Sequence, residues 1–247
     1  MPLARADLES LLRTRQLDRT LTTALPPPDR HHDEYAVAPL GVTSLDARLG
    51  GGFPRGQVSE LVGPRSSGRA TVVLQAMAAA TARGELVALV DVLDMFDVES
   101  AAAAGVDLDR LLWIRGHVVV NPGLCRDWNQ RAMEQAMRAC ALVLQASNFG
   151  MVVFDAAEAP VDAIRRLPFT TWMRLQRMVE GSPTACLLVA TDPVARSAAG
   201  LTLRLGIEKS SARFSTQLFE GLNVEARIVR ARHARQADQA IPLSTHA

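Results

Sequence analysis

Nine residues, GPRSSGRAT from Gly63 to Thr71, carry the densest candidate chemistry in the chain. They lie between an apolar run, VSELV at 58–62, and an alanine-rich helical segment, ATVVLQAMAAATAR. A glycine turn between strand and helix aims backbone N–H groups and a helix N-terminus at one spot, which makes a cradle for an anion such as phosphate. In loops of the pattern G-x-x-x-x-G-K-[ST], the lysine reaches the outer phosphates and the Ser or Thr hydroxyl holds magnesium. Here those two positions are Arg69 and Ala70. Arginine keeps the charge but carries it on a wider, planar head, and alanine has no oxygen to offer. Gly63, Ser66, Ser67, Gly68, Arg69, Ala70 and Thr71 are therefore a nucleotide site by position and a degenerate one by residue type.

The elements that must hold this loop follow from hydrophobic patterning. VSELV, ELVALVD (85–91), GMVVFD (150–155) and TACLLVATD read as strands, and LDRLLWIRG holds a further one. Short helical segments, DVESAAAAGV and LPFTTWMRLQRMVEG, separate them, as does the long RDWNQRAMEQAMRACALVLQAS. In the long helix Trp128, Ala132, Ala136, Cys140 and Val143 are expected on one buried face, and Trp113 and Trp172 are read as packing residues too. Ser44 is the expected N-cap of a short helix before Gly50. Continuous apolar runs alternating with helices predict a mostly parallel sheet flanked by helices. GLTLRLGIEKS and GLNVEARIVRARH have no helix between them and predict a C-terminal antiparallel hairpin.

The expected domains are an amphipathic helix at 1–25, a Pro-rich linker at 26–37, an α/β core at 38–235 and a flexible tail at 236–247. The 27 basic and 26 acidic residues nearly cancel, so net charge does not signal nucleic acid. Cys125, Cys140 and Cys186 fit no metal spacing and read as buried thiols of a cytoplasmic protein, and His31 and His32 as solvated linker residues. No apolar run approaches the roughly 20 residues of a membrane span.

The stretch GVTSLDARLGGGFPRGQVSELVGPRSSGRATVVLQAMAAATARG resembles the opening of the RecA recombinase core, whose loop reads GPESSGKT[ST]. The likeness continues through LVALVDVLDMFDVESAAAAGVDLDRLL, where AAGVDLDRLL echoes a phrase like KLGVDIDNLL. GMVVFDAAEA is similar to the strand ending in a magnesium-side aspartate, and LTLRLGIEK and NVEARIVRARHA to the closing strands. This resemblance implies a RecA-like phosphate-loop fold, in which Asp155 would stand on the magnesium side and Asp97 would face adenine. It also locates departures. Leu93 stands where the water-activating glutamate is expected, Ser100 where a tyrosine stacks on adenine, and Asp192 near the γ-phosphate sensor. Asp94, beside Leu93, is expected on the other face of the strand. Both stretches that bind DNA in RecA, here AAEAPVDAIRR and TDPVARSAAG, are short.

A short, degenerate RecA relative resembles the ImuA-type accessory proteins of bacterial translesion mutagenesis. The resemblance implies a pseudo-ATPase with no catalytic residue, no cofactor and no metal. It would act in the SOS response to DNA damage, with partners such as an ImuB-like protein, an error-prone polymerase or RecA itself. The alternative is a RecA-family repair protein that binds ATP and single-stranded DNA with residual ATPase activity. Arg227, Arg230, Arg232 and Arg235 are candidates for contact with a partner or with DNA, on a strand whose edge is expected to pair with another chain. The N-terminal helix is the candidate for self-association.

Overall fold

The computed structural model describes residues 37–116, 126–195, 200–215, 218–231 and 240–244. The chain divides into two units, 1–32 and 33–247, and every described residue belongs to the second. The expected N-terminal helix and linker, up to residue 36, lie outside the described residues, as do His31, His32, Cys125, Arg232 and Arg235.

In chain order the strands are β1 (Val37–Ala38), β2 (Phe53–Pro54), β3 (Gln57–Val62), β4 (Val87–Asp91), β5 (Leu111–Arg115), β6 (Met151–Asp155), β7 (Ala185–Ala190), β8 (Leu201–Ser215), β9 (Leu218–Ala231) and β10 (Ala240–Ser244). The helices are α1 (Thr43–Arg48), α2 (Arg69–Ala82), α3 (Val98–Ala103), α4 (Arg126–Ala146), α5 (Val161–Arg165) and α6 (Phe169–Val179). One eight-stranded sheet runs in the order β10-β9-β8-β3-β7-β6-β4-β5. The six strands from β8 to β5 are mutually parallel, and β9 and β10 extend the sheet antiparallel. β1 and β2 form a separate two-stranded ribbon.

Both faces of the sheet are covered, which is why β4, β6 and β7 are near-continuous apolar runs, whereas β3 buries Ser59 and Glu60 among its apolar residues. Along β4, Val87 and Leu89 enter one core with α2, while Ala88 and Val90 enter the other with α4 and α6. β6 repeats the pattern, with Met151 and Val153 on the α2 side and Val152 and Phe154 on the α4 side. The period of two thus sorts successive side chains into two cores. On α2, Val72, Val73, Ala76, Met77 and Ala80 form the buried stripe. Its alanines let the helix sit close on the strands that carry the loop.

Four expectations are corrected here. The segment 236–247 is not simply a tail: residues 240–244 pair with β9 as β10 and bury Ile241 and Leu243. The β9 edge is therefore taken up, between Asn223 and Arg227, by a strand of the same chain. Trp128 is 60% exposed, whereas Ala132, Ala136, Cys140 and Val143 are buried as expected. A residue four positions on falls about 40° further round a helix, and three such steps carry Trp128 off the buried face. Finally, α1 starts at Thr43 after Val42, and Ser44 lies inside it without capping. No helix among the described residues is long and apolar enough to cross a membrane.

Candidate functional site

The loop from Gly63 to Gly68 leaves β3 at the C-terminal end of the parallel strands and opens directly into α2. Two residues in the left-handed region, Ser66 at φ 59° and Gly68 at φ 82°, wind it tightly. Gly63 is demanded by its neighbours, because a Cβ there would come within 2.5 Å of the Leu205 carbonyl oxygen of β8. It would also meet Ser67 Oγ at 2.8 Å. That hydroxyl is turned into the loop, is buried, and has no hydrogen-bond partner among the described residues.

Arg69, the first residue of α2, is only 7% exposed. Its Nη1 donates to the carbonyls of Gly63 (2.5 Å), just after β3, and Ala190 (2.9 Å), the last residue of β7. Ala190 also accepts from the Gly63 N–H at 3.3 Å, so the guanidinium staples two adjacent strand ends together. Its Nη2 lies 3.5 Å from Glu158 Oε1, and its Nε is buried without a partner among the described residues. Glu158 comes from the turn after β6, and its Oε2 accepts from Arg65 Nε at 2.6 Å. Burial pushes the Arg69 guanidinium below its usual range, Asp155 and Glu158 oppose that, and Arg65 adds to it.

Asp155 ends β6 opposite Asp91 of β4. Its Oδ1 accepts from the Ala157 N–H at 2.9 Å. Burial of the carboxyl is the main reason that it is pushed up to about 6; the Ala157 bond and Arg69 pull it down, while Asp91 and Glu158 add to the rise. Asp91 is a scaffold residue. It accepts from the N–H groups of Met95 and Phe96 and from Trp113 Nε1, and so shapes the turn after β4.

That turn decides the fate of the residues around the expected base. Leu93 is buried in the core on the α4 side, and neither Leu93 nor Asp94 lines the cleft beside the loop. Asp94 is not the other-face strand residue expected from sequence. It sits in the turn at φ 57° and is held by both Nε and Nη2 of Arg115 at 2.7 Å. Asp97 and Ser100 do line the cleft. Asp97, however, caps α3, accepting from the N–H groups of Glu99 and Ser100 and from the Ser100 hydroxyl. Asp192 does not line the cleft beside the loop, and pairs with Arg204 at 3.4 Å.

The structure therefore brings Gly63, Ser66, Ser67, Gly68, Arg69, Ala70, Thr71, Asp97 and Asp155 to one end of the sheet, beside a cleft of about 910 Å³. Three features of the loop bear on a magnesium–nucleotide. Ala70 gives no oxygen, both terminal nitrogens of Arg69 are engaged, and the Glu158 carboxylate stands against the loop cations. Sequence reasoning missed Glu158, which no spacing rule connects to residues 93 positions away in the chain. Of the C-terminal arginines, Arg227 is exposed and bonded to Glu225 at 2.8 Å, and Arg230 is exposed near the end of β9.

A glycine loop between a central parallel strand and a helix, with an acidic strand end beside it, defines an α/β protein of the phosphate-loop class. The model of the RecA N-terminal domain matches residues 24–164, and the chain belongs to that family. Its relatives include Protein RecA of Salinispora tropica, 39% identical over 129 residues, which are 52% of this chain and 33% of that protein. Protein RecA of Streptomyces coelicolor is 37% identical over 134 residues, 54% of this chain and 32% of its own length. The match thus spans about a third of these relatives. The crystal structure of the RadB recombinase has a TM-score of 0.58 at 20% identity, covering 85% of this chain and 96% of that one. At that identity the likeness is one of fold, and it extends into the C-terminal strands.

Proposed function

We propose that this RecA-family protein acts as a non-hydrolysing accessory factor in DNA-damage-induced translesion synthesis, of the ImuA type. Its working partners would be an ImuB-like protein and an error-prone polymerase, or RecA itself. The observation that carries this reading is Arg69. Where a phosphate-reaching lysine is expected, its guanidinium is buried and bonded to the carbonyls of Gly63 and Ala190. The residue has become a structural tie. Leu93, buried in the opposite core, supports the same view, since a missing general base alone costs on the order of 10²–10⁴-fold in rate.

The alternative, an ATP- and single-stranded-DNA-binding repair protein with residual turnover, is favoured by one observation. The cleft of about 910 Å³ persists beside the loop and still includes Asp155. Steady-state ATP turnover by the full chain, compared with the Asp155→Ala variant, separates the two. The accessory reading expects none, together with co-purification of polymerase-type proteins from DNA-damaged cells. Turnover abolished by Asp155→Ala, with salt-sensitive binding to single-stranded DNA, would establish the alternative.

A further inference from the structure

We propose that Glu158 is an internal counter-anion that holds the phosphate-type loop shut, an autoinhibitory contact made through Arg65 and Arg69. The proposal builds on the reading that the loop no longer turns nucleotide over, and it says what keeps anions out.

Arg65 and Arg69 are the two cationic side chains of the loop, and one carboxylate meets both. Glu158 presents Oε2 to Arg65 and Oε1 to Arg69, so it lies across the loop from the side of β6. Its placement is not accidental to a mobile side chain alone, because the turn beneath it is pinned. Ala156 N–H donates to the Val189 carbonyl at 3.0 Å, Ala157 N–H to Asp155 at 2.9 Å, and Ala159 N–H to the Ala156 carbonyl at 3.1 Å. One anchor on β7, one on β6 and one bond within the turn thus deliver residue 158 to the loop.

Charge explains the effect. Arg65 and Arg69 contribute two positive charges, and Asp155 and Glu158 can supply two negative ones. With both carboxyls ionised, an incoming anion meets a cluster with no net attraction and a carboxylate it must displace. The loop nevertheless keeps what an anion would use: a wound backbone at Ser66 and Gly68, and the buried Ser67 hydroxyl, turned inward and without a hydrogen-bond partner among the described residues. The contact is also one that can open. The Arg65 side chain is 79% exposed, and ion pairs exposed to that degree are worth little in water. The carbonyl ties of Arg69 are buried and stay behind when Glu158 leaves.

The test uses the full chain, Glu158→Gln, and Glu158→Gln combined with Arg65→Ala. The probe is inorganic pyrophosphate without metal, followed by calorimetric titration. Glu158→Gln should bind pyrophosphate at least tenfold more tightly than the parent chain, and adding Arg65→Ala should remove most of the gain. Equal affinity of parent and Glu158→Gln, or equal failure to bind, overturns the proposal. Hydrogen exchange at the amides of 65–68 is read alongside and keeps a weak titration decisive. About two- to fivefold faster exchange in Glu158→Gln, with the rest of the sheet unchanged, is expected, and unchanged loop exchange counts against the contact. ATP turnover by the parent chain would refute the non-hydrolysing reading without altering these comparisons, so the two failures remain distinct.

Discussion

The two ends of the parallel sheet are each tied by an arginine, half-buried Arg55 at one and buried Arg69 at the other, and the ties differ. At the N-terminal ends of the strands, Arg55 donates from Nε to the Val37 carbonyl at 3.3 Å. Its Nη1 reaches the carbonyls of Gly150 (3.1 Å) and Pro183 (2.7 Å), and its Nη2 reaches Glu85 at 2.7 Å. At the C-terminal ends, Arg69 reaches two carbonyls well, meets Glu158 at 3.5 Å and leaves Nε unpaired among the described residues. The carboxyls record the difference. Burial would raise Glu85, but hydrogen bonds and charge from Arg83 and Arg55 outweigh it and hold the group below its usual range. Burial dominates at Asp155 and pushes it up to about 6. The first end is a finished structural joint. The second is a joint made from parts arranged for something else.

The largest expected effect comes from breaking the finished joint. Arg55→Met should destabilise the protein by about 3 kcal/mol, because it takes a donor from three carbonyls at once and leaves the half-buried Glu85 with Arg83 as its remaining arginine partner. At roughly 2–4 °C per kcal/mol for a chain of this size, the melting point should fall by about 6–12 °C. Arg69→Met serves as the comparison and should cost about 1 kcal/mol, since the charge it removes is only partly satisfied. Equal losses in the two variants would erase the distinction between the ends.

The next effect is on pH dependence. An aspartate titrates near 3.9 when unfolded, and Asp155 titrates at about 6 when folded. Between those values the folded state binds more protons, so stability falls as pH rises through the window and is level above it. The shift sets an upper bound of about 3 kcal/mol on the change. Glu85 acts in the opposite sense: its contribution is present above the usual carboxylate range and is lost as pH falls below it. Denaturant unfolding from pH 4 to pH 7 should show the decline in the parent chain and a flatter profile in Asp155→Asn. A decline of equal size in Asp155→Asn would assign it to another group.

The smallest expected effect is that of magnesium-ATP. Ligand at 100 times its dissociation constant stabilises by about 2.7 kcal/mol, which would raise the melting point by roughly 5–10 °C. Millimolar magnesium-ATP should instead move it by less than about 1 °C. A reproducible shift of several degrees would mean that Arg69 leaves its carbonyls readily and that the C-terminal end is less closed than its bonds imply.

Much of the fold was legible because burial on both faces leaves a plain mark. β4, β6 and β7 are apolar at every position that meets a core, and the loop follows an apolar strand directly. β10 escaped because Pro242 interrupts the segment and only Ile241 and Leu243 announce a buried face. Trp128 was misplaced by a four-residue spacing that drifts round the helix. At the site, residue types at 69, 70 and 93 were readable, but directions were not. Whether an arginine after Gly68 points outward to a ligand or back into carbonyls depends on where β7 ends and what β6 brings alongside. Asp97 shows the same limit, because its carboxylate is engaged by the helix that it begins.

Pro242 has a consequence for how the sheet stops. It stands in the middle of the outermost strand, opposite Glu225, and is exposed. Lacking an N–H, it leaves β10 one backbone donor short. A strand of another molecule arriving at this border would find only five residues, with a proline at their centre. The sheet is in effect hemmed on this side, and strand-by-strand stacking of copies into a longer sheet is disfavoured from the β10 border.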